Sequence, residues 1–217
     1  MAGKSVNFDF EKIKEGKAYD ILRPLGRFIC KLFFKVEYVG TENIPEDGGF
    51  IVASNHIHAL DPLIIALGIK NRQLHFMAKK ELFDNIFVAK LITIVNAFPI
   101  VRGGADARAL NYAKRIPAEG HILGIFIEGT RSKDGTPQRA KKGVASIANY
   151  SKCNVLPVSV YNNDGLKKHT KYTVRFGKAI DYSELNMSEE PSRDELGFAA
   201  DYIMDKIKLQ WEEGHCN

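Results

Sequence analysis

Apolar and polar positions along the chain follow two different periods. Within residues 18–36, Ile21, Leu22, Leu25, Phe28, Ile29, Leu32, Phe33 and Val36 recur at helical spacing, while Arg23, Arg27, Lys31 and Lys35 fall four apart on the other side. This predicts a basic amphipathic helix. Such a helix suits either of two settings: packing on a core with its charged face in water, or lying in a membrane interface. Further on, short apolar runs closed by turn residues alternate with helical patterns. The runs predict strands over 35–39, 50–54, 73–77, 98–101, 122–127, 155–161 and 172–176, with helices over 61–69, 85–95, 106–115 and 142–151. A last helix over 193–212 opens on Ser192 with Glu195 three residues on, the pattern of a capping box, and carries Leu196, Ala199, Ala200, Ile203, Met204 and Ile207 as its buried face. Strand, helix, strand alternation predicts an α/β fold with a central, mostly parallel sheet flanked by helices. Residues 1–35 form an amphipathic, membrane-associating segment on this reading, and residues 36–217 the α/β domain.

The 217 residues, 45% hydrophobic and 26% charged, suit one globular domain and exclude a disordered or fibrous chain. Cys30, Cys153 and Cys216 form no CxxC pair, which argues against a disulfide framework or a cysteine-ligated zinc and for a reducing compartment. Asp9 and Glu11 interrupt the start, so no secretory signal is expected. The most apolar window, 86–101, contains Lys90, Asn96 and Pro99 and is too short to span a bilayer. The expected location is therefore cytoplasmic. The net charge of +5 is uneven: residues 67–115 hold nine Lys/Arg against three Asp/Glu, whereas 181–217 hold three against ten. A basic middle fits phosphate-bearing partners without choosing among lipid headgroups, CoA and nucleic acid.

Some chemistries find no candidate. There is no G-x-S-x-G elbow and no G-x-G-x-x-G after a strand. Gly124 and Gly129 have Walker-type spacing but are followed by Thr130 and Arg131 instead of Lys and Ser/Thr.

Three constellations fall at the carboxyl ends of expected strands, where ligands bind in open α/β sheets. The first is Asn55-His56-Ile57-His58-Ala59-Leu60-Asp61-Pro62, in which a turn can fold Asp61 back onto His56 and make it a general base. Asp61 followed by Pro62 also reads as a plain helix start. The H-x-x-x-x-D spacing alone is unspecific, with about 0.3 such pairs expected by chance. The second is Phe126-Ile127-Glu128-Gly129-Thr130-Arg131-Ser132, a buried strand ending in a glycine turn, where Arg131 and turn amides suit a phosphate and Glu128 a neighbouring hydroxyl. It reads equally as a Glu-Arg pair tightening an exposed turn. The third is Phe98-Pro99-Ile100-Val101-Arg102-Gly103-Gly104, which sets Arg102 near a helix start.

In this order, followed by Val155-Leu156-Pro157-Val158, the blocks resemble the glycerolipid acyltransferase family, the 1-acyl-sn-glycerol-3-phosphate acyltransferases. That family carries N-H-x-x-x-x-D, an apolar strand ending in arginine, F-P-E-G-T-R-S and a V-P-V strand. The resemblance covers about 36–160, and the amphipathic segment before it looks like the family's membrane-associating start. It implies that His56 takes the proton of the acceptor's hydroxyl, which attacks an acyl thioester directly, and that Asp61 orients His56. Arg102, Glu128, Thr130 and Arg131 would bind the glycerol phosphate, with Gly129 letting the backbone come close. The implied donor is acyl-CoA or acyl carrier protein, the acceptor a lysophospholipid at the membrane's cytoplasmic surface, and no metal or organic cofactor is implied. Two positions depart from the family pattern. Ile127 replaces the proline before the glutamate, and His58 stands where a small hydroxyl residue is common, open to reading as a second base, a headgroup contact or a bystander.

Two other classes are weighed. His56, His58 and Asp61 are residue types that suit zinc, manganese or iron in a hydrolase, with further ligands drawn from His75, His121 or His169. A non-catalytic lipid- or nucleic-acid-binding module could use the basic middle, although the basic residues match no nucleic-acid motif and nucleic acid is not an expected partner.

Overall fold

The computed structural model describes residues 8–101, 106–162 and 170–215. In chain order the elements are α1 (Lys17–Phe33), β1 (Lys35–Val39), β2 (Phe50–Ser54), α2 (Asp61–Gly68), β3 (Leu74–Lys79), α3 (Ile86–Ile94) and β4 (Ala97–Ile100). They continue as α4 (Ala107–Ala118), β5 (Ile122–Phe126), α5 (Gly143–Ser151), β6 (Asn154–Tyr161), β7 (Lys171–Phe176) and α6 (Arg193–Glu212). The strands form one seven-stranded sheet in the order β1-β7-β6-β2-β5-β3-β4. Every neighbouring pair is parallel except β6 and β7, so the sheet is mixed, as the alternation predicts.

The central strands are buried on both faces, which is why β2 reads Phe-Ile-Val-Ala-Ser without a polar alternate. Their side chains sort into two layers by parity. Ile51, Ala53, Leu123 and Ile125 pack with α4, α5 and α6, while Phe50, Val52, Leu74 and Phe76 pack with Ile64 and Ile65 of α2. The same parity assigns α3 to the α2 side: it packs through Ala89 on Ala78 and Ala97, whereas Met77 and Phe98 face the other layer. The capping box of α6 forms as expected, with Glu195 N–H donating to Ser192 Oγ at 3.2 Å and Ser192 N–H to Glu195 Oε2 at 2.8 Å.

The amphipathic helix forms, but it sits opposite to a helix packed on a core by its apolar stripe. Ile21, Leu25, Phe28, Ile29, Leu32 and Phe33 of α1 are exposed. The arginines turn inward: Arg23 donates to the carbonyls of Lys70 and Arg72, and Arg27 donates twice to the carbonyl of Leu67 at 3.2 and 3.0 Å. These guanidinium groups satisfy carbonyls at and beyond the C-terminal turn of α2, where cations are favoured. Gly26 lets the α1 backbone approach the side chains of Leu63 and Leu67. On α3, Ile86, Phe87, Val88, Leu91 and Ile94 are exposed as well. Among the described residues no helix is long and apolar enough to cross a membrane.

Candidate active site

β2 and β5 run side by side and in parallel, with Ser54 opposite Phe126 at their carboxyl ends. His56 and Glu128 each lie two residues past that pair, so strand register alone brings them together. The ladder continues by one bond, Ile127 N–H to Ser54 O at 3.0 Å. A proline at 127 has no N–H to make this bond, which Ile127 supplies. His56 N–H then donates to Glu128 Oε1 at 3.0 Å, and Ser132 N–H to His56 O at 2.7 Å. The loop after β2 is thus stitched to the turn after β5 through the main-chain N–H and carbonyl of His56.

Within this frame His56 Nδ1 lies 2.8 Å from Asp61 Oδ2. The carboxylate only accepts, so the imidazole proton sits on Nδ1 and Nε2 carries the free lone pair. The same Oδ2 accepts the amides of Ile57 and His58, both at 2.7 Å. Asp61 is the first residue of α2 and not its N-cap, and its side chain turns back onto the preceding loop. The plain helix-start reading of Asp61 therefore gives way to a carboxylate committed to His56 and its loop. The imidazole, 8% exposed, stacks on Phe126 at 3.8 Å and 17°, and Phe126 stacks on Phe76 at 5.5 Å. Gly124 makes room for this column, since a Cβ there would lie 2.2 Å from the Phe76 ring.

Asn55 is fully buried and clamps the loop to β6, donating to Val160 O at 2.9 Å and accepting Val160 N–H at 2.8 Å. Sequence reasoning gave Asn55 no role of its own, because its partner lies 105 residues away. The signal available was a polar residue directly after a wholly buried strand.

Glu128 is 3% exposed, and burial pushes its carboxyl up to about 7 against the favourable His56 amide. Gly129 adopts φ +73°, a turn conformation suited to glycine, and its N–H closes onto Phe126 O at 2.9 Å. Its nearest neighbour is the flexible Lys141 side chain, so the observed need for glycine is the turn itself. Thr130 and Arg131 are exposed beyond it. Arg131 lies close enough to His58 to oppose its protonation. Arg102 lies outside the described residues. Where the loop that follows His56 meets residues 132–135, a cleft of about 270 Å³ is lined by Ile57, His58, Ser132, Lys133, Asp134 and Tyr172, among others.

The residues weighed as a metal set do not converge. Asp61 Oδ2 already accepts from three donors, and His58 Nδ1 accepts Leu60 N–H at 3.1 Å. His75, the second residue of β3, and His121, just before β5, stand at the amino ends of those strands, where His121 pairs with Glu15 at 2.8 Å. His169 lies outside the described residues. Among the described residues no group of three or more His, Cys, Asp or Glu is placed to hold a metal ion.

Comparison with known proteins places this geometry in a lineage. Residues 35–161 match the family model described as Acyltransferase. The chain is 29% identical over 185 residues to a 1-acyl-sn-glycerol-3-phosphate acyltransferase of Bacillus subtilis, covering 84% of this chain and 91% of the relative. A Streptococcus pneumoniae protein of the same name is 32% identical over 159 residues, 70% of this chain and 59% of its own length. The fold is similar to the crystal structure of the 1-acyl-sn-glycerophosphate acyltransferase PlsC from Thermotoga maritima, with a TM-score of 0.69, 28% identity and coverage of 92% of this chain and 81% of the other. The family match contains β2, β5 and the whole His56, Asp61 and Glu128 frame, and on it the chain belongs to the acyltransferase family.

Proposed function

We propose that this acyltransferase moves a fatty acyl group from acyl-CoA or acyl carrier protein to the sn-2 hydroxyl of 1-acyl-sn-glycerol 3-phosphate, giving phosphatidic acid. The observation that carries this reading is the His56–Asp61 pair, 2.8 Å apart and oriented with Nε2 free. The names of the relatives supply the acceptor.

In the proposed reaction His56 Nε2 takes the hydroxyl proton as the acceptor oxygen bonds to the thioester carbonyl carbon. Asp61, a positioning residue, holds the ring and stabilises the imidazolium that forms. The tetrahedral species then collapses, the carbon–sulfur bond breaks, and the thiolate leaves and recovers the proton from His56. A thioester is already activated, so no covalent enzyme intermediate and no cofactor is required. Glu128 Oε1 holds the His56 amide and Oε2 is buried without a hydrogen-bond partner among the described residues, so Glu128 acts here by positioning His56, and its assignment to the acceptor's glycerol portion rests on the family pattern. Arg131 lies past the same turn for the phosphate, with Thr130 beside it, and Arg102 is assigned to the phosphate on the family pattern. The outward apolar stripe of α1 and the exposed residues of α3 lie on the α2 side of the sheet and support docking on the cytoplasmic face of the membrane that carries the acceptor.

The test is product analysis with purified protein in lipid vesicles, offering acyl-CoA and acyl carrier protein separately with 1-acylglycerol 3-phosphate, 1-acylglycerophosphocholine or glycerol 3-phosphate. Phosphatidic acid formed from 1-acylglycerol 3-phosphate in preference to the other acceptors' products is the expected result. Preference for another acceptor, or no acyl transfer by folded protein, overturns the assignment.

A further inference from the structure

His58 is the residue at which this chain departs from its family beside the reacting histidine, and the structure fixes what its ring has to offer. Its main-chain N–H donates to Asp61 Oδ2, and its Nδ1 accepts the N–H of Leu60 at 3.1 Å. A nitrogen that accepts carries a lone pair, so the neutral ring bears its proton on Nε2. Partial burial, with Arg131 and His56 adding to it, holds the imidazole below its ordinary pKa against the pull of Asp61, so the ring stays neutral near neutral pH. It is then a fixed N–H donor. Accepting a substrate proton at Nε2 is excluded while Leu60 holds Nδ1, so His58 is not a second base.

His58 lines the cleft between the loop that follows His56 and residues 132–135, with Ser132, Lys133, Asp134 and Tyr172. The Asp134 carboxylate lies on the same wall. Its Oδ1 already accepts from Ser132 Oγ and Thr136 Oγ1, both at 2.8 Å, and from Thr136 N–H at 3.0 Å, which hold its carboxyl down to about 2. The cleft thus offers a ligand the neutral N–H of His58 and the ammonium of Lys133 against one carboxylate, Asp134, whose Oδ1 is turned to its own loop, and the two donors suit an oxygen-bearing anion.

We propose that His58 is a specificity-determining residue whose Nε2–H donates to an oxygen of the acceptor's glycerol phosphate in this cleft. The assignment rests on the acyltransfer reading above. It gives this chain a headgroup contact that a small hydroxyl side chain at position 58 is too short to make.

Two isosteric substitutions separate this role from a structural one. Asparagine places an acceptor oxygen near the Nδ1 position, keeping Leu60 N–H satisfied, but has no donor at the Nε2 position. Glutamine does the reverse. Steady-state kinetics in vesicles, with thermal unfolding as the folding control, are expected to show His58→Asn raising KM for 1-acylglycerol 3-phosphate about tenfold. Its kcat and its KM for the acyl thioester stay within about twofold of wild type, while His58→Gln recovers most of the acceptor affinity. Unchanged acceptor KM in His58→Asn overturns the proposal. So does a fall in kcat alone, a change confined to the thioester KM, or greater damage from His58→Gln than from His58→Asn, which would mark the Leu60 contact as the one that matters. A wild-type enzyme inactive on every lysophospholipid would overturn the acyltransfer reading together with this one, whereas active wild type with an indifferent His58→Asn overturns the His58 assignment alone.

Discussion

Replacing Glu128 by glutamine tests whether the tether behind His56 is as buried as the structure has it. The wild-type carboxyl is pushed from about 4.5 to about 7 in the folded protein, chiefly by burial. The folded state thus holds this proton more tightly than the unfolded chain does. The group's contribution to stability is complete below the unfolded value and is lost as pH rises through the folded one. Between about 4.5 and about 7, at about 1.4 kcal/mol per pH unit, the loss is at most about 3.5 kcal/mol. Glutamine keeps an oxygen for the His56 N–H and never ionises, so Glu128→Gln does not share the loss. Urea unfolding at constant ionic strength from pH 5 to pH 8 reads the difference directly. Glu128→Gln should gain on wild type by about 2–3 kcal/mol in total over that range, most of it below pH 7. A stability difference that is flat with pH, or that falls, would show Glu128 to be solvated and would remove it from the frame that positions His56.

Other consequences are as specific. In Asp61→Asn the amide oxygen still serves the amides of Ile57 and His58, but the charge that stabilises an imidazolium at His56 is gone; kcat should fall about 10²–10⁴-fold with acceptor KM little changed, measured on protein whose melting is unaltered. Gly124→Ala pushes a methyl into the Phe76 ring, and urea unfolding should show a loss of about 1–3 kcal/mol together with reduced activity, because Phe76 backs Phe126 and Phe126 backs His56. Phe28→Glu and Phe87→Glu alter side chains that are 65% and 81% exposed, so both should leave stability intact and each should lower co-sedimentation with anionic vesicles; unaffected sedimentation in both would detach the apolar faces of α1 and α3 from membrane binding.

Local pattern made much of this architecture legible. β1, β2 and α6 have the bounds their hydrophobic periods predict, and the remaining strands differ by one or two residues at their ends. The Ser192–Glu195 capping box is a short-range motif and was readable for that reason. What the sequence hid depends on distant partners. The antiparallel pairing of β7 with β6 is set by chain reversal, not by composition. The outward turn of the α1 apolar stripe becomes visible only once the Arg23 and Arg27 acceptors around the end of α2 are known, since periodicity shows that a helix has two faces and not which one packs. At the site, proximity of His56 to Asp61 follows from five-residue spacing and a turn, but the placement of Glu128 needed the β2–β5 register. The commitment of its Oε1 to the His56 amide had no sequence signature.

The most direct test of the central claim is acyl transfer to 1-acylglycerol 3-phosphate in vesicles by wild type, by wild type treated with EDTA, and by His56→Ala, each checked for folding and vesicle binding. The account predicts phosphatidic acid at equal rates from the first two and a loss of about 10²–10⁴-fold in the third with binding retained. Near-wild-type turnover by His56→Ala, or activity abolished by EDTA, would contradict a metal-free mechanism in which His56, held by Asp61, takes the acceptor's proton.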